Sequence, residues 1–398
     1  MTTRVERAPL AVLGGRPTFR EPRHVGAPNV PPAGALERRL AGALRRRRLT
    51  NDGPLVQEFE AAVSRRLGVR HCIATCNATS GLMVLARALE LSGEVIMPSF
   101  TFPGTAHAMR WLGLQPIFCD VDRASHTLDA ATVAEAIGER TSAILGVHVW
   151  GRPCDTEALG DIAGRHGVEL IFDAAPAFDC GRHGVKIGNH GRAEVVSFHA
   201  TKVLNTFEGG AILTNDDELA ERIRPMITFG FVDEDVVVGL GINAKMSEAA
   251  AAMGLAQLEQ LPATIATNRA HHTRYRARLE ELPGVAVVDY PNAAEANFHY
   301  VVLEIEPDVA PIDRDMLKRV LEAERVLARR YFFPGCHRMA PYAAERSTAG
   351  ELPITEWLAA RVLQLPTGTA LAAEDVEAIC TLVSRAFEDA ELLRASLS

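Results

Sequence analysis

The chemically promising residues of this chain are few, and they come in a fixed order. Residues 195–202, VVSFHATK, close an apolar run with Ser197, His199, Thr201 and Lys202, and Gly209-Gly210 precede the next apolar run. A lysine amine condenses with carbonyl groups, and paired glycines let the backbone bend close to a ligand. Only four of the 42 basic residues are lysines: Lys186, Lys202, Lys245 and Lys318. Lys186 and Lys318 lie in polar or amphipathic contexts that suit a surface position. Lys202 is hemmed between a strand and a glycine-rich turn, so it is the best candidate for a covalent amine. Upstream, Asp173 directly follows the apolar ELIF. A carboxylate at a buried strand end reaches the binding crevice and can hold a protonated ring nitrogen. A helix cap or structural hydrogen bond accounts for it equally well. Asn77-Ala78-Thr79-Ser80-Gly81 places small and polar residues between a strand and a helix. The free N–H groups and positive dipole end of such a turn suit a phosphate, although an ordinary N-cap explains the segment better by itself. Phe102, after another strand end, offers a ring for stacking or simply a core side chain.

These residues need a scaffold that gathers strand ends. Short apolar runs at 71–75, 94–97, 115–119, 142–148, 169–172, 194–198 and 210–214 alternate with helical stretches such as 103–112 and 155–166. That alternation predicts a mainly parallel sheet with helices on both faces, whose ligands bind beyond the C-terminal strand ends. After Met246 the pattern changes. Two helical stretches, 246–261 and 262–282, meet at Pro262, where a kink or helix start is expected. Strands at 285–289 and 299–304 and helices at 314–327 and 374–393 follow, reading as a smaller α+β domain. The expected division is 1–260 for a large domain with an N-terminal arm and 261–398 for the small one.

Composition narrows the function further. The 398 residues are 47% hydrophobic and 23% charged, ordinary for a globular protein with a large core. A net charge of −8 argues against nucleic acid as a partner, and the run Arg45–Arg48 reads as a solvated helix end. No apolar run reaches membrane-spanning length, and the opening MTTRVERAPLAVLGG lacks a signal-peptide core. Seven scattered cysteines with no CxxC pair fit reduced thiols in a cytoplasmic protein and no metal site. No GxGxxG or Walker A motif is present, so the phosphate need not belong to a dinucleotide or ATP.

The ordered set, from phosphate turn through stacking aromatic and strand-end Asp to Ser-x-His-x-x-Lys before Gly-Gly, resembles the DegT-type nucleotide-sugar aminotransferases, a branch of the fold-type-I (aspartate aminotransferase-like) enzymes. The resemblance runs from Thr50-Asn51-Asp52-Gly53-Pro54 to Leu363-Gln364-Leu365-Pro366. It includes SFTFPGTAHA, PIFCDVD, GVHVWGRPCD, FDAAPAF, SFHATK with EGG, NAKMSEAAAAMGLAQL and YFFPGCHRMAPY. It implies pyridoxal 5′-phosphate (PLP) as cofactor, with Lys202 as the Schiff-base lysine and Asp173 on the pyridine nitrogen. Phe102 would stack on the ring, and Ala78, Thr79 and Ser197 would hold the phosphate. Asn243 would reach the cofactor phosphate of a partner subunit, implying a homodimer with shared active sites. Tyr331, His299 and His337 would line the sugar-nucleotide side, although domain packing explains the two histidines equally well. The family often has Gln or His after Asp-Ala-Ala; here Pro176 stands there, without a side-chain donor for the cofactor hydroxyl. The implied reaction moves an amino group from L-glutamate to C4 of dTDP-4-keto-6-deoxy-D-glucose in deoxysugar and antibiotic biosynthesis. A C3-aminotransferase or a PLP dehydratase is the alternative. The dehydratases of this family carry histidine where Lys202 stands, which disfavours that reading.

Overall fold

A computed structural model describes residues 8–32, 34–344 and 350–397. Residues 1–7, the start of the stretch read for a targeting signal, lie outside that set. Seven strands form the main sheet: β1 (His71–Thr75), β2 (Glu94–Pro98), β3 (Gln115–Cys119), β4 (Thr141–Val147), β5 (Glu169–Asp173), β6 (Ala193–Ser197) and β7 (Gly210–Thr214). Their spatial order is β1-β7-β6-β5-β4-β2-β3. Four neighbouring pairs run parallel, while β7 is antiparallel to both β1 and β6. The strands are apolar on both faces because helices cover both, as the sequence pattern predicts. The one buried carboxylate inside a central strand, Glu194, is fully bonded. It accepts from the N–H groups of Gly188 (2.7 Å) and His190 (2.8 Å) and meets His148 Nε2 at 3.1 Å.

Two of the helices pack with this sheet at the site: α1 (Ala78–Ala88) and α2 (Pro103–Trp111). The next long element corrects the sequence reading. Residues 248–279 form one continuous helix, α3 (Glu248–Leu279), with Pro262 inside it and no break. Pro262 faces solvent, so the carbonyl it leaves without an N–H donor can bind water and the helix continues. The same helix runs straight through the expected division at 260. Beyond it, β8 (Val285–Val287), β9 (Val301–Ile305) and β10 (Val362–Leu365) form a three-stranded antiparallel sheet with its own apolar core.

The helix expected over 314–327 stops at Ala323. Arg325 adopts a left-handed conformation (φ +64°), and Val326–Leu327 become a strand that pairs with Arg23–His24 of the N-terminal arm. Glu324 secures the change: its carboxylate accepts from the N–H groups of Ala11 and Thr18, each at 2.7 Å. A contact across some three hundred residues overrides the local helical pattern.

Candidate active site

The sheet register builds one rim of the site. Gly210, the first residue of β7, lies opposite both Thr75 and Ser197. Because β7 is antiparallel, its start coincides with the C-terminal ends of β1 and β6. Asp173 ends β5 beside Val195 of β6. The residues that follow these ends therefore converge. Asn77 caps α1 by accepting from Ser80 N (2.8 Å), and an α-helix leaves the N–H groups of its first turn, here Ala78 and Thr79, without intrahelical acceptors. A side chain at Gly210 would put its Cβ 2.6 Å from Ala78 N, so only glycine permits this close approach of strand to helix N-terminus. Phe102 is the N-cap of α2 and more than half exposed. A Cβ at Gly104 would lie 3.1 Å from the Phe102 ring and 3.5 Å from Thr79 Oγ1, so ring and hydroxyl border one gap.

The charges at the rim are fixed by specific partners. Asp173 is buried, and its carboxylate accepts from Thr105 Oγ1 (2.7 Å) and from Ala175 N (3.0 Å). Lys202 Nζ donates to the hydroxyl of buried Tyr300 at 3.2 Å. Burial works against the charge on Lys202, but Tyr300 and the carboxylate of Asp173 outweigh it and hold its pKa above the ordinary lysine value. Burial in turn pushes the Tyr300 phenol up. At neutral pH the pair is therefore an ammonium donating to a neutral phenol.

His299 shares a small cavity with Lys202, Thr201, Tyr300, Arg329, Tyr331, Gln364 and the arm residues Val25 and Gly26. Its Nε2 donates to the Thr201 carbonyl at 2.8 Å, and burial pushes its pKa down to about 4. The ring is neutral, and since a carbonyl only accepts, the proton sits on Nε2. Nδ1 is then a buried acceptor, and no partner among the described residues satisfies it. That orphaned acceptor shares its cavity with the Lys202 amine, whose charge the Asp173 carboxylate favours, and so fits a site for a polar ring and its substrate. A roomier hollow of about 550 Å³ lies elsewhere, against the Glu60–Arg224 ion pair, and contains none of these groups.

The other expected site residues are placed as follows. Ser197 Oγ accepts from His199 N (3.3 Å) at the end of β6. Tyr331 lines the Lys202 cavity, its hydroxyl accepting from Arg329 Nη1 at 3.1 Å. Asn243 is exposed and accepts from Lys245 Nζ at 2.6 Å. His337 is not among the residues lining the cavity; it joins Ser99 Oγ (2.6 Å) to Glu356 (3.2 Å). Pro176 is buried, and its carbonyl accepts from Asn297 Nδ2 (3.3 Å), so this position shapes backbone.

Sequence reasoning missed Tyr300, Thr105 and Arg329. Thr105 sits in the first turn of α2 within SFTFPGTAH, a motif already singled out, and a hydroxyl one turn from a strand end was a usable signal. Tyr300 and Arg329 left none, because their approach to Lys202 depends on how the second sheet docks.

The description of the DegT/DnrJ/EryC1/StrS aminotransferase family matches residues 34–384. The chain is 35% identical to dTDP-4-amino-4,6-dideoxy-D-glucose transaminase of Shigella dysenteriae, over 91% of this chain and 98% of the relative. It is 34% identical to the erythromycin biosynthesis sensory transduction protein EryC1 of Saccharopolyspora erythraea, over 81% and 87% of the two chains. Among solved structures it is similar to DesI in the presence of its TDP-sugar product. The identity there is 48%, the coverage 98% and 99% of the two chains, and the TM-score 0.93.

Proposed function

The chain belongs to the DegT/DnrJ/EryC1/StrS aminotransferase family and uses pyridoxal 5′-phosphate, and from that premise we propose that it transfers an amino group from L-glutamate to C4 of dTDP-4-keto-6-deoxy-D-glucose. The observation that carries the substrate is the end-to-end likeness to DesI, a protein described with a TDP-sugar product. The name of the Shigella relative, a transaminase of a 4-amino-4,6-dideoxy sugar, agrees with it.

Bound at the rim, the cofactor supplies an electron sink for the carbon that loses a proton. The rest is done by the chain. Asp173, fixed by Thr105 and Ala175 N, keeps a ring nitrogen protonated through its charge. Ala78, Thr79 and Ser197 hold the phosphate at the α1 N-terminus. Phe102 would cover one ring face. Lys202, with the Tyr300 hydroxyl as its hydrogen-bond partner, would anchor the cofactor and carry the proton at the reacting carbon. His299 Nδ1 accepts a hydrogen bond from a substrate hydroxyl or amine, and Tyr331 borders the same space. Arg329 is the guanidinium on this cavity, placed to meet a carboxylate or diphosphate. Residues 1–260 would carry the cofactor, and 261–398 would close the substrate side together with the arm at Val25–Gly26.

The same reading makes the enzyme a cytoplasmic homodimer with shared sites. All seven cysteines are free, as a reducing compartment requires. The segment leading to Asn243 exposes Phe229, Phe231, Val237, Leu240 and Ile242, an apolar patch suited to a second copy.

Incubation with L-glutamate and dTDP-4-keto-6-deoxy-D-glucose, followed by NMR of the product, tests the reaction. The amine is expected at C4. No amination of this sugar while its 3-keto isomer is aminated, or loss of water without amination, would replace the substrate assignment by one of its alternatives.

A further inference from the structure

The N-terminal arm does more than decorate the small domain. After Arg23–His24 pair with Val326–Leu327, the chain crosses directly over the Lys202 turn, and Val25 and Gly26 line the cavity there. Gly26, at φ +75°, touches Thr201 so closely that a Cβ would lie 2.9 Å from the threonine Cβ. Three residues on, Asn29 is only 2% exposed, and its side-chain amide and backbone carbonyl are both engaged. Its Nδ2 donates to the carbonyl of Val203, the residue after Lys202, at 3.1 Å. Its own carbonyl accepts from Asn205 Nδ2 (2.8 Å) and from Gln257 Nε2 of α3 (2.6 Å). Its Oδ1 accepts from the N–H (3.0 Å) and hydroxyl (2.8 Å) of Thr369, on the segment that follows β10. The side-chain amide therefore ties the outgoing limb of the Lys202 turn to the small domain, and the backbone carbonyl of the same residue ties that limb to the long helix.

Val203 and Leu204 bury their side chains in an apolar core, and the polar groups of the limb are held at few other points. Lys202 N donates to His199 O and Thr206 N to Phe198 O, which fixes the base of the loop. Residues 203 and 205, which set the direction of the limb, are both bonded to Asn29. We propose that Asn29 is a positioning residue for the reaction: by clamping residues 203–205 to the arm and the small domain, it sets the aim of the Lys202 amine. The inference rests on the reading of Lys202 as the proton carrier. The chemistry needs both ends of an amide, since Nδ2 must donate on one side and Oδ1 accept on the other. Asn29→Asp separates the two ends. It keeps the acceptor for Thr369 and places a carboxylate against the Val203 carbonyl, so it breaks the Val203 bond and leaves the backbone bond to Asn205 in place.

The test uses full-length holoenzyme of Asn29→Ala, Asn29→Asp and Thr369→Val. Single-turnover loss of the cofactor absorption band on mixing with L-glutamate is followed, together with the pH at which that band titrates. Borohydride reduction and peptide mapping locate the modified lysine. With the amine mis-aimed, the single-turnover rate is expected to fall about tenfold in both Asn29 variants. The band titration should shift, the concentration of glutamate giving half-maximal rate should change little, and the label should remain on Lys202. Thr369→Val, which removes one hydrogen bond of the same clamp, should fall in the same direction by about two- to threefold, and it carries the test should Asn29→Ala not fold. Wild-type rates and titration in variants that only unfold at lower temperature would overturn the positioning role while leaving Lys202 in place. A label on Lys186, Lys245 or Lys318 in the unaltered enzyme would instead sink the Lys202 reading, and this inference with it.

Discussion

The rim of the main sheet and the cover laid over it achieve the same site by different means. On the rim, Asp173, Ser197 and the α1 N-terminus follow directly from strand ends, and their positions are set by the register of neighbouring strands. The cover is assembled from four remote pieces: the arm at 23–29, residues 299–300, residues 329–331 and the 364–369 segment. On the proposed reading, the rim supplies the charges that do chemistry. The cover decides how one of them, the Lys202 amine, is held and protonated. The two kinds of part should therefore fail differently, those of the rim by loss of chemistry and those of the cover by loss of tuning.

The largest effect should come from Lys202→Ala. Turnover is expected to fall at least about a thousandfold with the fold intact by circular dichroism, because no other lysine lies in the cavity to move the proton. A variant within tenfold of wild type would place the reacting amine elsewhere. Asp173→Asn comes next. Its amide still fits between Thr105 and Ala175 N but carries no charge for a protonated ring nitrogen, so kcat should fall roughly a hundredfold while the cofactor remains bound by absorbance. Near-normal turnover would reduce Asp173 to a structural acceptor, and the rim would then carry less chemistry than its geometry implies.

Tyr300→Phe probes the cover and should show a smaller loss than either rim variant, about tenfold in kcat. Its diagnostic is pH. In the free chain Tyr300 and Asp173 raise the Lys202 pKa despite burial, so at neutral pH the amine is protonated and not nucleophilic. Cofactor uptake by the apoenzyme is therefore expected to accelerate as pH rises towards that pKa. Removing the phenol removes one raising cause, and the uptake curve should move to lower pH. An unmoved curve in stopped-flow absorbance would show that the cover does not tune the amine.

The alternation of apolar runs and helices located all seven main strands to within a residue or two, since local periodicity reports burial on both faces. The same logic failed where distant contacts intervened. The pattern over 314–327 was helical, yet Glu324 gave its carboxylate to the arm and the last residues became a strand. Pro262 read as a boundary, but its solvent-facing position in α3 made the missing hydrogen bond tolerable.

By itself the sequence determined the kind of chemistry. A scarce lysine, an aspartate after an apolar strand and a small polar turn fall at strand ends, and in a parallel α/β sheet strand ends converge whatever the remaining packing. Tertiary structure alone decided the electrostatic state of that chemistry. Lys202 meets Tyr300 across 98 residues, and Asn29 reaches Val203 and Asn205 across 174 and 176. No local pattern encodes such pairs, because each hydrogen bond exists only once two separately folded surfaces and the arm between them have docked.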